Sequence, residues 1–108
     1  MKTKFHSKGF VLGNYWGGGA KGAYPARTIS ADTKEELLET ANAMLKSGAL
    51  DSGMGYESLI GAVLIITKKS IIEYEGKEYR NYENETVFIG NLTDKETEFL
   101  SDIVEEMI

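Results

Sequence analysis

The residues best suited to chemistry lie in one run near the N-terminus: Gly13-Asn14-Tyr15-Trp16-Gly17-Gly18-Gly19-Ala20-Lys21-Gly22-Ala23-Tyr24-Pro25-Ala26-Arg27. It holds the only tryptophan, the only proline, two of the six tyrosines and five of the twelve glycines. Consecutive glycines can turn several backbone N–H groups toward one point, a nest for phosphate or carboxylate oxygens. Tyr15, Trp16 and Tyr24 offer faces for stacking, and Lys21 and Arg27 offer compensating charge. Gly17, Gly18, Gly19, Tyr15, Trp16, Lys21, Tyr24 and Arg27 are therefore the candidate ligand-binding residues. The run is neither a Walker loop nor a dinucleotide fingerprint, because no Gly-Lys-Ser/Thr follows and the glycines lead toward a strand. A competing explanation is a hairpin tip whose Trp16 and Tyr24 cap the core.

A second candidate is Asp51-Ser52-Gly53-Met54-Gly55-Tyr56-Glu57-Ser58. Asp51 and Ser52 beside two glycines could bind a ribose or a cation. The same residues also suit a turn in which Asp51 or Ser52 caps a following helix. If the two glycine-rich segments meet in space, they would share one pocket.

Conventional catalysis finds little support. There is one histidine, His6, and no cysteine, so a nucleophile–base pair or a zinc site has almost no material. Glu73/Glu75 and Glu83/Glu85 have strand spacing and could act as acid and base, but solvated strand edges use the same pattern. The expectation is a protein that is not an enzyme and carries no cofactor or metal.

The elements that must position these residues can be traced along the chain. Residues 9–16 and Tyr24 to Ser30 have strand composition, with Pro25 expected at an edge or a strand start. The glycine loop would join these two strands. Asp32-Thr33-Lys34-Glu35-Glu36 carries two overlapping capping boxes, and Leu37, Leu38, Ala41, Met44 and Leu45 follow at helical spacing. Gly48 is placed to end that helix. Tyr56, Leu59, Ile60, Val63 and Leu64 fit a helical period, whereas Val63-Leu64-Ile65-Ile66 suits a strand. We expect a short helix from about Tyr56 to Leu64 that runs into a strand. Glu75-Gly76 marks a hairpin between Ser70–Tyr74 and Lys77–Arg80. Its second strand would continue through Thr86-Val87-Phe88-Ile89, with a bulge near Asn81 to Asn84. Thr93 with Glu96 opens a last helix, whose apolar stripe is Phe99, Leu100, Ile103, Val104 and Met107. The order β-β-α-(α)-β-β-α predicts a single α+β domain over residues 1–108. Its antiparallel sheet would have about four strands, with two or three helices on one face.

Composition fits that picture. The 108 residues are 42% apolar and 27% charged, ordinary values for a globular domain. Met1 to His6 has no apolar leader, and the longest apolar run, Leu59 to Ile66, cannot span a bilayer. A cytoplasmic location without membrane contact is expected. The net charge of −5 is unevenly spread. Residues 1–31 carry five cations and no carboxylate, whereas residues 93–108 carry six carboxylates and one cation. Such separation creates a local field that can attract an anion even on an acidic protein, although five scattered cations also suit a simple solvated edge.

Gly13-Asn14-Tyr15-Trp16-Gly17-Gly18-Gly19, Tyr24-Pro25-Ala26 and the segment from Leu50 to Ala62 together resemble a family of small, largely uncharacterised proteins of Gram-positive phages and mobile elements. The resemblance covers most of the chain. It implies a setting in which small cysteine-free proteins counter host defence, by sequestering a nucleotide signal or by blocking a defence protein. It assigns no residue a role.

Two functions fit these residues. One is a non-enzymatic protein that holds a small anionic, nucleotide-like ligand at the glycine/aromatic/basic loop, with the site shared across a homodimer. The other is an inhibitor of a host protein, acting through exposed loop aromatics or through Glu96, Glu98, Asp102, Glu105 and Glu106 of the last helix. Nucleic acid is a poor fit, because the chain is acidic and has no long basic stripe.

Overall fold

The apolar run ending at Ile66 is the middle of a long strand, and a helix covers each of its two faces. A computed structural model describes residues 2–14, 21–53 and 58–107. In chain order they form β1 (Lys2–Asn14), β2 (Lys21–Pro25), β3 (Ile29–Ala31), α1 (Lys34–Ser47), β4 (Ser58–Tyr74), β5 (Lys77–Gly90) and α2 (Asp94–Met107). All pairings are antiparallel and make one five-stranded sheet, ordered β2-β1-β4-β5, with β3 also paired to β1. The α+β class is as expected. The order of elements is not.

Three differences have physical causes. First, residues 58–64 are strand rather than helix; Tyr56 and Glu57 lie outside the described residues. A continuous apolar run matches either a buried helix or a strand covered on both faces, and periodicity alone does not separate them. Second, the helices lie on opposite faces. Ala62, Leu64 and Ile66 pack with Leu37, Ala41 and Leu45 of α1, whereas Val63 and Ile65 pack with Leu100 and Val104 of α2. Alternation along a strand sends successive side chains to opposite faces, so these two sets need two separate covers. Third, the segment Tyr24 to Ser30 is split. Ala26 still donates its N–H to the Gly9 carbonyl of β1, but Arg27 donates to the Leu50 carbonyl, which takes the chain out of the ladder between β2 and β3. Pro25 ends an edge strand, where its missing donor costs nothing.

The strand limits also shift. β1 begins at Lys2 rather than residue 9, because it extends along β4 as far as Ile71. No bulge interrupts β5 at Asn81 to Asn84, where the register with β4 is unbroken from Tyr74↔Lys77 to Gly61↔Gly90. The irregularity falls instead in β1·β4, between Leu12 and Gly13.

Local chemistry decides the helix ends. Thr33 is the N-cap of α1 and accepts the Glu36 N–H at 3.1 Å. The overlapping Asp32 box is unused, since Asp32 instead accepts from the Lys4 ammonium at 2.6 Å. Gly48 terminates α1 with φ 81°. At α2, Thr93 Oγ1 accepts from the Glu96 N–H at 3.2 Å while Glu96 Oε1 accepts from the Thr93 N–H at 2.9 Å, a complete capping box.

The β4–β5 ribbon runs beyond both helices, and the molecule measures 60 × 26 × 21 Å. Its radius of gyration is 15.7 Å, against about 13 Å for a compact chain of this length.

Among the described residues one buried side-chain group is unsatisfied. The Ser7 hydroxyl, 3% exposed, points to the α1 side of β1 and has no hydrogen-bond partner. An orphaned buried hydroxyl costs about 1–3 kcal/mol. Ser7→Ala should therefore leave stability unchanged or raise it by about 1 kcal/mol, measured by urea unfolding. A loss larger than about 1 kcal/mol would mean that the hydroxyl is bonded in solution.

Candidate functional site

Period-two alternation places Thr3, Phe5, Ser7 and Val11 of β1 toward α1, and Lys4, His6, Lys8 and Phe10 toward the other side. On that other side α2 packs over Phe10, Leu12, Ala23, Ile60, Val63 and Ile65. The rest of the face, toward the ribbon, is open. The register aligns its side chains in rows across the strands: Ser30–His6–Thr67–Asn84, then Lys4–Lys69–Tyr82, then Ile71–Arg80.

The first row is held by side-chain hydrogen bonds. Ser30 Oγ and His6 Nδ1 are 2.7 Å apart, and Thr67 Oγ1 donates to Asn84 Oδ1 at 2.7 Å. In the second row Lys4 donates to Asp32, and this bond together with the carboxylate charge raises the pKa of the Lys4 ammonium above its ordinary value. Lys8, Lys69 and Arg80 have no ion-pair partner among the described residues. Toward the ribbon tip, Glu73 and Glu78 restore negative charge. A shallow cavity of about 370 Å³ lies between His6, Lys8, Thr28, Ser30, Lys69 and Tyr82. A second, of about 470 Å³, lies between Thr3, Lys4, His6, Asp32, Lys69 and Ile71. They share His6 and Lys69, so the two are parts of one surface. Both volumes are in the range of small-molecule sites.

This arrangement can hold an anion between the Lys8 and Lys69 ammonium groups and stack a flat ring on Tyr82, which is 55% exposed. Among the described residues no cluster of three or more histidine or acidic side chains is placed to hold a metal.

The candidate residues identified from sequence are distributed differently. Tyr15, Trp16, Gly17, Gly18 and Gly19 lie outside the described residues, as do Met54 to Glu57. Tyr24 is half-buried and packs against the α1-side core. Arg27 is exposed, and its neighbours Pro25 and Ala26 meet the second candidate segment directly. Ala26 bridges to Asp51, and Ser52 Oγ donates to the Pro25 carbonyl at 2.6 Å. Asp51 Oδ1 accepts from the Gly53 N–H at 3.1 Å, closing a turn. The described residues resume at Ser58, which belongs to β4 and not to the helix expected there. Arg27, Asp51 and Ser52 thus come together, but Lys21 does not join them. Lys21 pairs with Asn14 at the far end of β2, whereas Arg27 lies two residues beyond Pro25, past the other end. At that end Asn14 Nδ2 donates to Ser58 Oγ at 3.0 Å.

The open face was partly legible in the alternation Lys4-His6-Lys8. Lys69, Arg80 and Tyr82 join it only through strand register. No protein-family model matches this chain, and neither does a curated protein or a solved structure.

Proposed function

We propose that this protein is a non-enzymatic binding protein for a small anionic, nucleotide-like ligand, held on the open face of the sheet. The observation that carries this reading is the gathering of Lys8, Lys69 and Tyr82 from three strands around a pre-ordered His6–Ser30 pair, on a protein of net charge −5. Lys4 is already neutralised by Asp32, which leaves Lys8 and Lys69 to meet phosphate oxygens. Tyr82 supplies a stacking face beside them. The loop containing Trp16 and Gly17 to Gly19 is the other place for such an anion. It ranks second because its two cations, Lys21 and Arg27, sit at opposite ends of β2. The resemblance to proteins of phages and mobile elements supplies a setting, the cytoplasmic capture of a nucleotide signal used in host defence.

Calorimetric titration with mono-, di- and cyclic nucleotides tests this directly. Lys8→Ala and Lys69→Ala should each weaken binding about tenfold or more, the value of a charge-assisted hydrogen bond. Arg27→Ala should leave it unchanged. Loss of binding in Arg27→Ala or Trp16→Ala alone would move the site to the loop. No heat with any nucleotide would remove the reading.

A second reading, inhibition of a host protein, has its own observation. Phe99 on α2 is 47% exposed between Glu98 and Asp102, an apolar anchor within an acidic surface. Phe99→Ala should abolish capture of such a partner without affecting nucleotide binding.

A further inference from the structure

The outer edge of β5 is the largest unpaired backbone surface among the described residues. β5 closes the sheet on one side, and its fourteen residues contain neither proline nor a bulge. Proteins usually shorten, kink or cover such an edge, because its free N–H and C=O groups are a template for another strand. Only the charges of Lys77, Glu78, Arg80, Glu83 and Glu85 guard it. Their order matters more than their number.

The hairpin sets which backbone groups are free. Glu75 and Gly76 have φ of 52° and 75°, the two positive values of a type I′ turn. Tyr74 and Lys77 then form the hydrogen-bonded pair closing the loop, and inward and outward groups alternate from there. The backbone groups of Glu78, Arg80, Tyr82 and Asn84 point outward, away from β4.

We propose that β5 pairs antiparallel with β5 of a second copy, about a twofold axis at Asn81. Lys77 then lies opposite Glu85 of the second copy, whose carboxylate also meets Lys34 of its own α1 at 2.6 Å, and Arg80 lies opposite its Tyr82. Glu78 faces Asn84, and Tyr79 faces Glu83. Symmetry makes each pairing occur twice, and no like charges meet. Centring on Tyr79 also opposes Glu78 and Arg80 but overlaps only residues 77–81, and the remaining registers are worse. Centring on Arg80, Glu83 or Glu85 sets identical charges face to face, centring on Asn84 sets Glu83 against Glu85, and centring on Tyr82 pairs no opposite charges. Cross-strand charge pairs of this kind select register.

The pairing also bears on the open face. Arg80 and Tyr82 both point to the side of Lys69 and His6, so Arg80 of the second copy lies beside Tyr82 and extends the row Lys4–Lys69–Tyr82. This joint platform rests on the ligand reading above, whereas the dimer rests on the strand edge alone.

The test uses the full chain. Sedimentation equilibrium should show a dimer in which Lys77→Glu and Glu85→Lys each weaken association about tenfold, with the double variant restoring it. The chain has no cysteine, so Asn81→Cys adds a single thiol, which should form a disulfide between copies on oxidation. The paired Cα atoms would be about 4.5 Å apart, as in a non-hydrogen-bonded pair. Tyr79→Cys and Glu83→Cys should not cross-link, since each lies about 13 Å from its own counterpart in this register. A monomer up to about 1 mM, or cross-linking at Tyr79→Cys or Glu83→Cys in place of Asn81→Cys, would overturn the proposal. A dimer that binds no nucleotide would leave this inference standing and remove only the ligand reading.

Discussion

Gly9→Ala should destabilise the protein by about 4 kcal/mol or more, a loss reserved for core positions with no room to adjust. A Cβ at Gly9 would lie 1.9 Å from the Val63 carbonyl oxygen and 3.1 Å from the Leu64 Cα. Both are backbone atoms of the neighbouring strand, so no side-chain rotation relieves the contact. The strands themselves would have to separate, at the point where β1 passes from pairing with β3 to pairing with β2. Gly9 also accepts the Ala26 N–H at 2.9 Å, which ties the outer strand to the same point. With total stability on the order of 10 kcal/mol for a domain of this size, the substitution removes a large part of it. Urea denaturation decides the matter. A loss below about 1 kcal/mol would mean that β1 and β4 are further apart than described here.

Leu37→Ala and Leu100→Ala should each cost about 3 kcal/mol, and their double variant close to the sum of the two. Both side chains are fully buried, but in different places. Leu37 packs with Leu64 and Ile66 under α1, and Leu100 packs with Val63 and Ile65 under α2. The sheet lies between them. The two cavities therefore share no wall, and sites that far apart add within about 0.5 kcal/mol. A coupling larger than about 1 kcal/mol in the double-mutant cycle would contradict two separate cores.

The parts of the fold that depend on neighbours in sequence were legible without a structure. Thr33 with Glu36, Thr93 with Glu96, Gly48 and the Glu75-Gly76 hairpin are local, because each joins backbone groups only a few residues apart. The apolar stripes of α1 and α2 were legible for the same reason. Charge separation between the N-terminal and C-terminal parts is likewise a property of sequence alone. Tertiary structure decided the remainder. Residues 58–66 became a strand because covers on both faces reward an unbroken apolar run, and no local pattern states how many faces will be covered. The helices went to opposite sides by the same logic. Lys21 and Arg27, six positions apart, separated to opposite ends of β2, because an extended chain carries near neighbours in sequence far apart. Lys8, Lys69 and Tyr82 met by the converse route. Antiparallel register brings distant positions side by side, and it is set by the long-range fit of whole strands rather than by any short motif.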